Sequence, residues 1–230
     1  MTQTETETPL RLAQLPLFPL QTVLFPGGRM SLRVFEVRYL DMINRCERAG
    51  APFGVVLLTQ GGEVLQRTQN PEAGEQFVVE EFESVGTLAS IEHIERPQPG
   101  LLLVHCQGQS GFRIERKQKL QHGLWVADVQ LRPSDAGIEV PEHLLATRDA
   151  LRTVFLRIEA EGGEAEKAAI PPSTDADWNS SSWVSNRWLE LLPVPANLKQ
   201  KLMALDNPMV RLELVADLLE KLGLNKASGQ

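Results

Sequence analysis

Three prolines and two glycines punctuate an apolar stretch of this 230-residue chain, LPLFPLQTVLFPGGRMSLRVFEVRYLDMI at 15–43. No helix interior accommodates that spacing. Pro16 and Pro19 lack an amide donor, and each biases the residue before it toward the β region. Residues 15–20 are therefore predicted as an extended segment at the opening edge of a barrel-like sheet, where a missing donor costs least. FPGG at 25–28 is predicted as a turn, with Gly27 and Gly28 free to take positive φ. Met30, Leu32 and Val34 then alternate with Arg29, Ser31 and Arg33, the period of a half-buried strand. The period changes at once: Phe35, Tyr39, Met42, Ile43 and Cys46 follow helical spacing, and Gly50 is placed to stop the helix. The stretch reads as strand, turn, strand, and a helix whose apolar face closes one end of a β-core.

The β pattern continues to about residue 131. FGVVLL at 53–58 reads as a buried strand, and 59–76 as a long polar loop around a short hairpin. Strands are predicted at 85–94, 101–108, 110–117 and 124–131. Glycine or proline separates them, which suits an antiparallel barrel or curved sheet. At RPSDAGIEVPEH, 132–143, helical spacing takes over. Pro141 suits a first helical position. Leu144, Leu151, Val154, Phe155 and Ile158 form one stripe up to Gly162, and 161–177 is predicted as a polar loop. Val184, Trp188, Leu191 and Leu192 form a second stripe, and Leu198, Leu202 and Leu205 a short third. In the last helix Asn207 is the predicted N-cap, Pro208 the first residue, Gly223 the stop, and Leu212, Val215, Leu218, Leu219 and Leu222 the buried face. The expected division is a disordered tail at 1–12, a β-rich unit at 13–135, a helical bundle at 136–225 and a tail at 226–230. The fold class is α+β.

Charge narrows the function classes. Thirty acidic residues against 23 basic give a formal net charge of -7, which argues against a general nucleic-acid binder, since neutralising phosphates takes clustered Lys and Arg. The first ten residues, MTQTETETPL, carry no basic or apolar leader segment. No apolar run reaches the roughly 18–20 residues of a membrane span. Two cysteines, Cys46 and Cys106, are expected as reduced thiols in a cytoplasmic protein. Neither they nor the four histidines fall at a metal-ligand spacing. There is no G-x-S-x-G nucleophile elbow, no dinucleotide fingerprint and no G-x-x-x-x-G-K-[ST] phosphate loop. No metal, cofactor or ATP is expected.

The chain resembles the N-terminal substrate-recognition domain of Lon proteases, a family that also occurs as free-standing proteins. The resemblance rests on Leu17, Pro19, Leu20, Phe25, Pro26, Gly27, Phe35, Glu36, Arg38 and Tyr39 in the first segment. Gly86, Gly108, Phe112 and Arg113 carry it in the second, and LKQKLMALDNPMVRLELVADLLEKL at 198–222 in the third. It implies a pseudo-barrel related to PUA domains, followed by a helical bundle. In the full-length proteases this part engages substrate proteins and assists assembly, and it holds no catalytic residue. With no phosphate loop, and with the sequence ending at Gln230 before an ATPase or peptidase domain, neither ATP hydrolysis nor proteolysis carries over.

The expected function is a non-catalytic module that binds unfolded or extended polypeptides, as an adaptor or holdase. The alternative is an RNA-binding protein by analogy with PUA-like folds, a reading that rests on fold alone and that the acidic balance opposes. The candidate contact surface is the turn Phe25, Gly27, Gly28 and Arg29, aided by Trp178 and Trp183. Those tryptophans either anchor the loop at 161–177 or form an exposed aromatic patch. Glu36 and Arg38, beside Tyr39, either tie the strand-to-helix junction together or rim a peptide groove.

Overall fold

The computed structural model describes residues 10–62, 80–133, 135 and 137–224. Six strands come first: β1 (Arg11–Leu20), β2 (Arg29–Val34), β3 (Phe53–Gln60), β4 (Glu81–Gln98), β5 (Leu101–Lys119) and β6 (Trp125–Leu131), with helix α1 (Val37–Ala49) between β2 and β3. A short 3-10 turn at Glu142–Leu144 opens the helical part. It comprises α2 (Leu145–Glu161), α3 (Glu164–Ala169), α4 (Asp175–Trp178), α5 (Ser181–Leu191), α6 (Ala196–Met203) and α7 (Pro208–Lys221).

The sheet curls into a ring. Its order is β2-β5-β4-β3-β1-β6, and β6 returns to pair with β5. All pairs are antiparallel except β1–β3, which is parallel. The ring depends on the length of β5. One side pairs with β4; the other takes β2 over Leu102–Gln107 and then β6 over Phe112–Lys119.

Three expectations change here. The proline segment is not an edge: β1 lies between β3 and β6, with Pro16 opposite Val126 and Pro19 opposite Val56. Backbone donors alternate in direction along a strand, so prolines three apart deprive different neighbours of one bond each. Second, 101–108 and 110–117 are one strand, not two. Gly108 and Gly111 do not turn the chain. At Gly108 a methyl group would collide with the Phe25 carbonyl oxygen, so the glycine admits a crossing backbone. Third, 161–177 is not all loop, since it contains α3 and most of α4. The strand β1 also begins at Arg11, inside the predicted tail. The hairpin expected within 59–76 falls largely outside the described residues.

Two cores fill the ring. At one end Phe18, Val34, Phe53 and Val104 meet Tyr39, Met42, Ile43 and Cys46 of α1, with Phe18 and Tyr39 stacked 4.0 Å apart. At the other, Leu17, Val56, Phe112 and Val129 pack together. Phe35, expected on the stripe of α1, is 54% exposed instead. A third core joins the helices to the ring: Leu151, Phe155, Val184, Trp188, Leu189, Leu212, Val215 and Leu219 surround Phe25, with Val23, Leu57 and Val85 beside them. Asn207 caps α7 as expected, its side-chain oxygen accepting from Met209 N at 2.9 Å and Val210 N at 3.3 Å. Leu222, expected buried, is exposed at the end of that helix.

Candidate functional site

The FPGG turn is the hinge piece between ring and helices. Gly27, at φ 74°, donates its amide to Gly108 O at 2.8 Å, and Gly108 donates back to Gly28 O at 2.8 Å. The turn thereby locks onto the middle of β5. From the helical side Arg187 of α5 meets it, with Nη2 donating to Pro26 O and to Glu190 Oε1, both at 2.9 Å. A side chain at position 28 would run into Glu190.

Arg187 is fully buried, and its Nε and Nη1 have no hydrogen-bond partner among the described residues. The guanidinium lies 5.7 Å from the centre of the Trp183 ring, which offers it a π face. Burial acts on both members of the pair. It lowers the pKa of Arg187 and pushes Glu190 up to about 7, against the opposing pull of Arg187 and Lys199. A carboxyl group raised on folding is protonated in the native state at pH values where the unfolded chain is already ionised. The stability it contributes is present below its ordinary value of 4.5 and is lost as pH rises through about 7. Compared with Glu190→Gln, the wild-type protein should therefore lose melting temperature steadily between about pH 4.5 and pH 8. Thermal melts of both proteins across that range check the sign; a gap constant with pH would show that Glu190 is ionised throughout.

Next to the turn a cavity of about 540 Å³ opens between ring and helices. Gly27 and the β5 segment 107–111 form one wall, and Trp183, Asn186 and Arg211 the other. Arg211 is 1% exposed. Its Nη1 reaches Asp135 at 2.8 Å and Asn186 at 3.3 Å, while Nε and Nη2 donate to Leu202 O and Leu205 O. Arg132, from the ring side, donates to Met203 O, Ala204 O and Leu205 O. Two arginines from different layers thus bind the end of α6.

The predicted site residues do not form one surface. Gly27 and Trp183 line the groove. Phe25 is 1% exposed and Gly28 is packed against Glu190, so neither offers a side-chain contact surface. Arg29 is half-buried, donating to Glu92 at 3.1 Å and Ile170 O at 3.5 Å. Trp178 and Trp183 form an edge-on cluster with Phe155, at centroid distances of 4.6, 5.5 and 5.9 Å. Both are partly buried and anchor the segment before α5 rather than forming a free patch.

Glu36 and Arg38 belong to another network. Arg38, 5% exposed, donates to Glu36 at 3.1 Å, Gly123 O at 2.8 Å and Glu80 at 3.1 Å. Lys119 and Trp125 Nε1 complete the shell of Glu80, each at 2.8 Å. These contacts tie the start of α1 to the β5–β6 hairpin and consume the guanidinium.

Sequence reasoning named neither Arg187 nor Arg211, because it followed only the apolar residues of each stripe. Their spacing carried the signal. Arg187 lies between Val184 and Trp188 on the apolar stripe, and Arg211 stands beside Leu212 on the stripe of α7. Cys46 and Cys106 are free and buried, with Cys106 pushed up to about 12 chiefly by burial. His93 and His105 stack across β4–β5 at 6.0 Å. Among the described residues no three His, Cys, Asp or Glu side chains group as metal ligands, and no helix is long and apolar enough to cross a membrane.

A curved β ring, a helical layer braced against it and a groove between them define a mixed α+β module. The chain belongs to the family of the ATP-dependent protease La (LON) substrate-binding domain, whose model matches residues 14–221. A Lon N-terminal domain protein from Xanthomonas campestris shares 28% identity at a TM-score of 0.65, with 90% of this chain and 98% of that one covered. The N-terminal domain of Mycobacterium avium complex Lon protease, at 13% identity and a TM-score of 0.53 over the same shares, is similar in fold. A search of curated proteins finds no match.

Proposed function

We propose that this chain is a non-catalytic polypeptide-binding module that engages unfolded or extended proteins as an adaptor or holdase. The observation that carries the reading is the groove between ring and helices, in a chain of a substrate-binding family. Its lining mixes the exposed β5 residues Gln109 and Ser110 with the partly buried Trp183 and the polar groups of Asn186 and Arg211. That combination accepts many sequences, because contact with an aromatic ring does not depend on one particular client side chain. Affinity is expected on the order of micromolar or weaker, since a mobile client is ordered on binding.

The test is capture of a permanently unfolded model protein, followed by fluorescence anisotropy. The double variant Arg29→Glu with Trp183→Ala, first checked for an unchanged melting temperature, should bind at least about tenfold more weakly, the equivalent of roughly 1.4 kcal/mol. Equal binding by the folded variant would remove the turn and Trp183 from the contact surface. Absence of any binding by wild-type protein would overturn the function.

A further inference from the structure

Within the proposed polypeptide-binding role, the structure assigns a docking edge for an extended segment: the outer edge of β2, entered antiparallel, with the segment's C-terminal carboxylate at the Arg29 end. The inference rests on that role and adds a second contact for the client, apart from the groove lined by Trp183.

The argument begins with the phase of the ladder. β2 pairs with β5 in one unbroken register from Arg29 opposite Gln107 to Val34 opposite Leu102. Gly108 donates to Gly28 O just before that register. In an antiparallel pair, bonded and non-bonded positions alternate. Met30, Leu32 and Val34 thus turn their amides and carbonyls toward β5, and Ser31 and Arg33 turn theirs away. Among the described residues no strand pairs with that outer side. The opposing bank is β1, which leaves β6 after Leu17 and continues to Leu20 paired only with β3. Among the described residues the two banks do not pair with each other, which leaves a gap between them.

The gap is hollow. A cavity of about 350 Å³ is lined by residues 30–36 and Tyr39 on one side and Phe18, Leu20 and Thr22 on the other. A second cavity of about 410 Å³ shares the lining residues Thr22 and Met30 and lies toward the Arg29 end of β2. Its floor is apolar at the Val34 end, where Phe18 and Tyr39 stack, and exposed Phe35 stands at the rim. At the Arg29 end the wall carries Arg29, Arg187 and Lys199. Arg29 pairs with Glu92 and Arg187 with Glu190, while the buried Nε atoms of both and Nη1 of Arg187, beside Gly27, have no hydrogen-bond partner among the described residues. Glu166 and Glu190 also line this end. Glu166 is engaged by Gly163 N, and Glu190 is pushed toward neutrality by burial.

The unpartnered guanidinium nitrogens of Arg29 and Arg187, which call for an acceptor, therefore select the occupant. An anionic terminus belongs at the Arg29 end and an apolar, alternating body along the rest. A chain whose C-terminus lies beside Arg29 runs opposite to β2, so the pairing is antiparallel. Open backbone at Ser31 and Arg33 binds any sequence, while the floor accepts every second side chain.

The probe is a seven-residue synthetic peptide of alternating valine and threonine with a free C-terminus, titrated onto the full chain. Four forms are compared: the free acid, the C-terminal amide, and two peptides N-methylated at every second residue in opposite registers. The two methylated peptides share composition and stiffness, and differ only in which edge loses its donors. One register should bind about tenfold or more weakly than the other, and the amide about tenfold more weakly than the acid. Amide hydrogen exchange at Ser31 and Arg33 should slow when the free acid binds. Equal binding of both registers, or unchanged exchange at Ser31 and Arg33 in a saturated complex, would overturn the edge assignment. Equal binding of acid and amide would overturn the placement of the terminus. If an unfolded protein is captured while these peptide results are negative, polypeptide binding stands and its site is elsewhere. If neither is bound, the function fails with the edge.

Discussion

Glu80→Ala should lower the unfolding free energy by about 3–5 kcal/mol, the largest loss expected from a single side chain in the β-rich part. The carboxylate is 6% exposed and neutralises Arg38 and Lys119, with Trp125 as a third donor. Its removal leaves Arg38 buried with only Glu36 as a counter-charge. Bonds to these three donors hold Glu80 below its ordinary 4.5, against a burial effect that acts the other way. For a carboxyl lowered on folding, the stability it contributes is present above 4.5 and lost as pH falls through the native value. The difference between wild type and Glu80→Ala should accordingly shrink below about pH 4.5. Urea titrations at pH 7 and pH 3.5 measure both effects. A loss under 1 kcal/mol at pH 7 would mean that Arg38 finds other partners or water.

Gly108→Ala should destabilise the fold by about 3 kcal/mol, from a single added carbon. The methyl would overlap the Phe25 carbonyl oxygen, which is backbone and cannot rotate aside. Relief requires the FPGG turn to lift off β5, breaking the reciprocal bonds of Gly27 and Gly28 with Gly108 and withdrawing Pro26 O from Arg187. Because the turn also joins ring to helices, the variant should show increased amide exchange in α5 as well as in β5. Gly100→Ala provides the contrast: its turn faces open space, so its cost is confined to the backbone strain of φ 78°. A Gly108→Ala protein as stable as wild type would show that the turn has slack.

The elements that were legible in the chain are those governed by local chemistry. The alternation at 29–34, the stripe Tyr39-Met42-Ile43-Cys46, and the cap Asn207 ahead of Pro208 each report on their own backbone, and each stands where expected. What was illegible depended on partners distant in sequence. Gly108 looked like a turn because its neighbour in space, Phe25, is more than eighty residues away. The prolines of β1 suggested an edge because β6, which covers the far side, lies more than a hundred residues on. The candidate site divides in the same way. Gly27 and Trp183 were found as conspicuous residue types, and they line the groove. Arg187 and Arg211 were passed over, although their place on an apolar stripe distinguishes a buried arginine from a solvated one.

The closure of the ring sets the order in which a nascent chain can mature. β1 must wait for β6, with Leu17 meeting Trp125, so the first strand synthesised is among the last to be enclosed. At roughly 5–20 residues per second, several seconds separate their emergence from the ribosome. During that interval the tightly turned β4–β5 hairpin can assemble alone, whereas the apolar face of β1 waits for its second neighbour. Long loop closure of this kind slows folding. The exposed interval is the time when a chaperone would have most to protect, and a circular permutant that places β1 directly after β6 would abolish the delay.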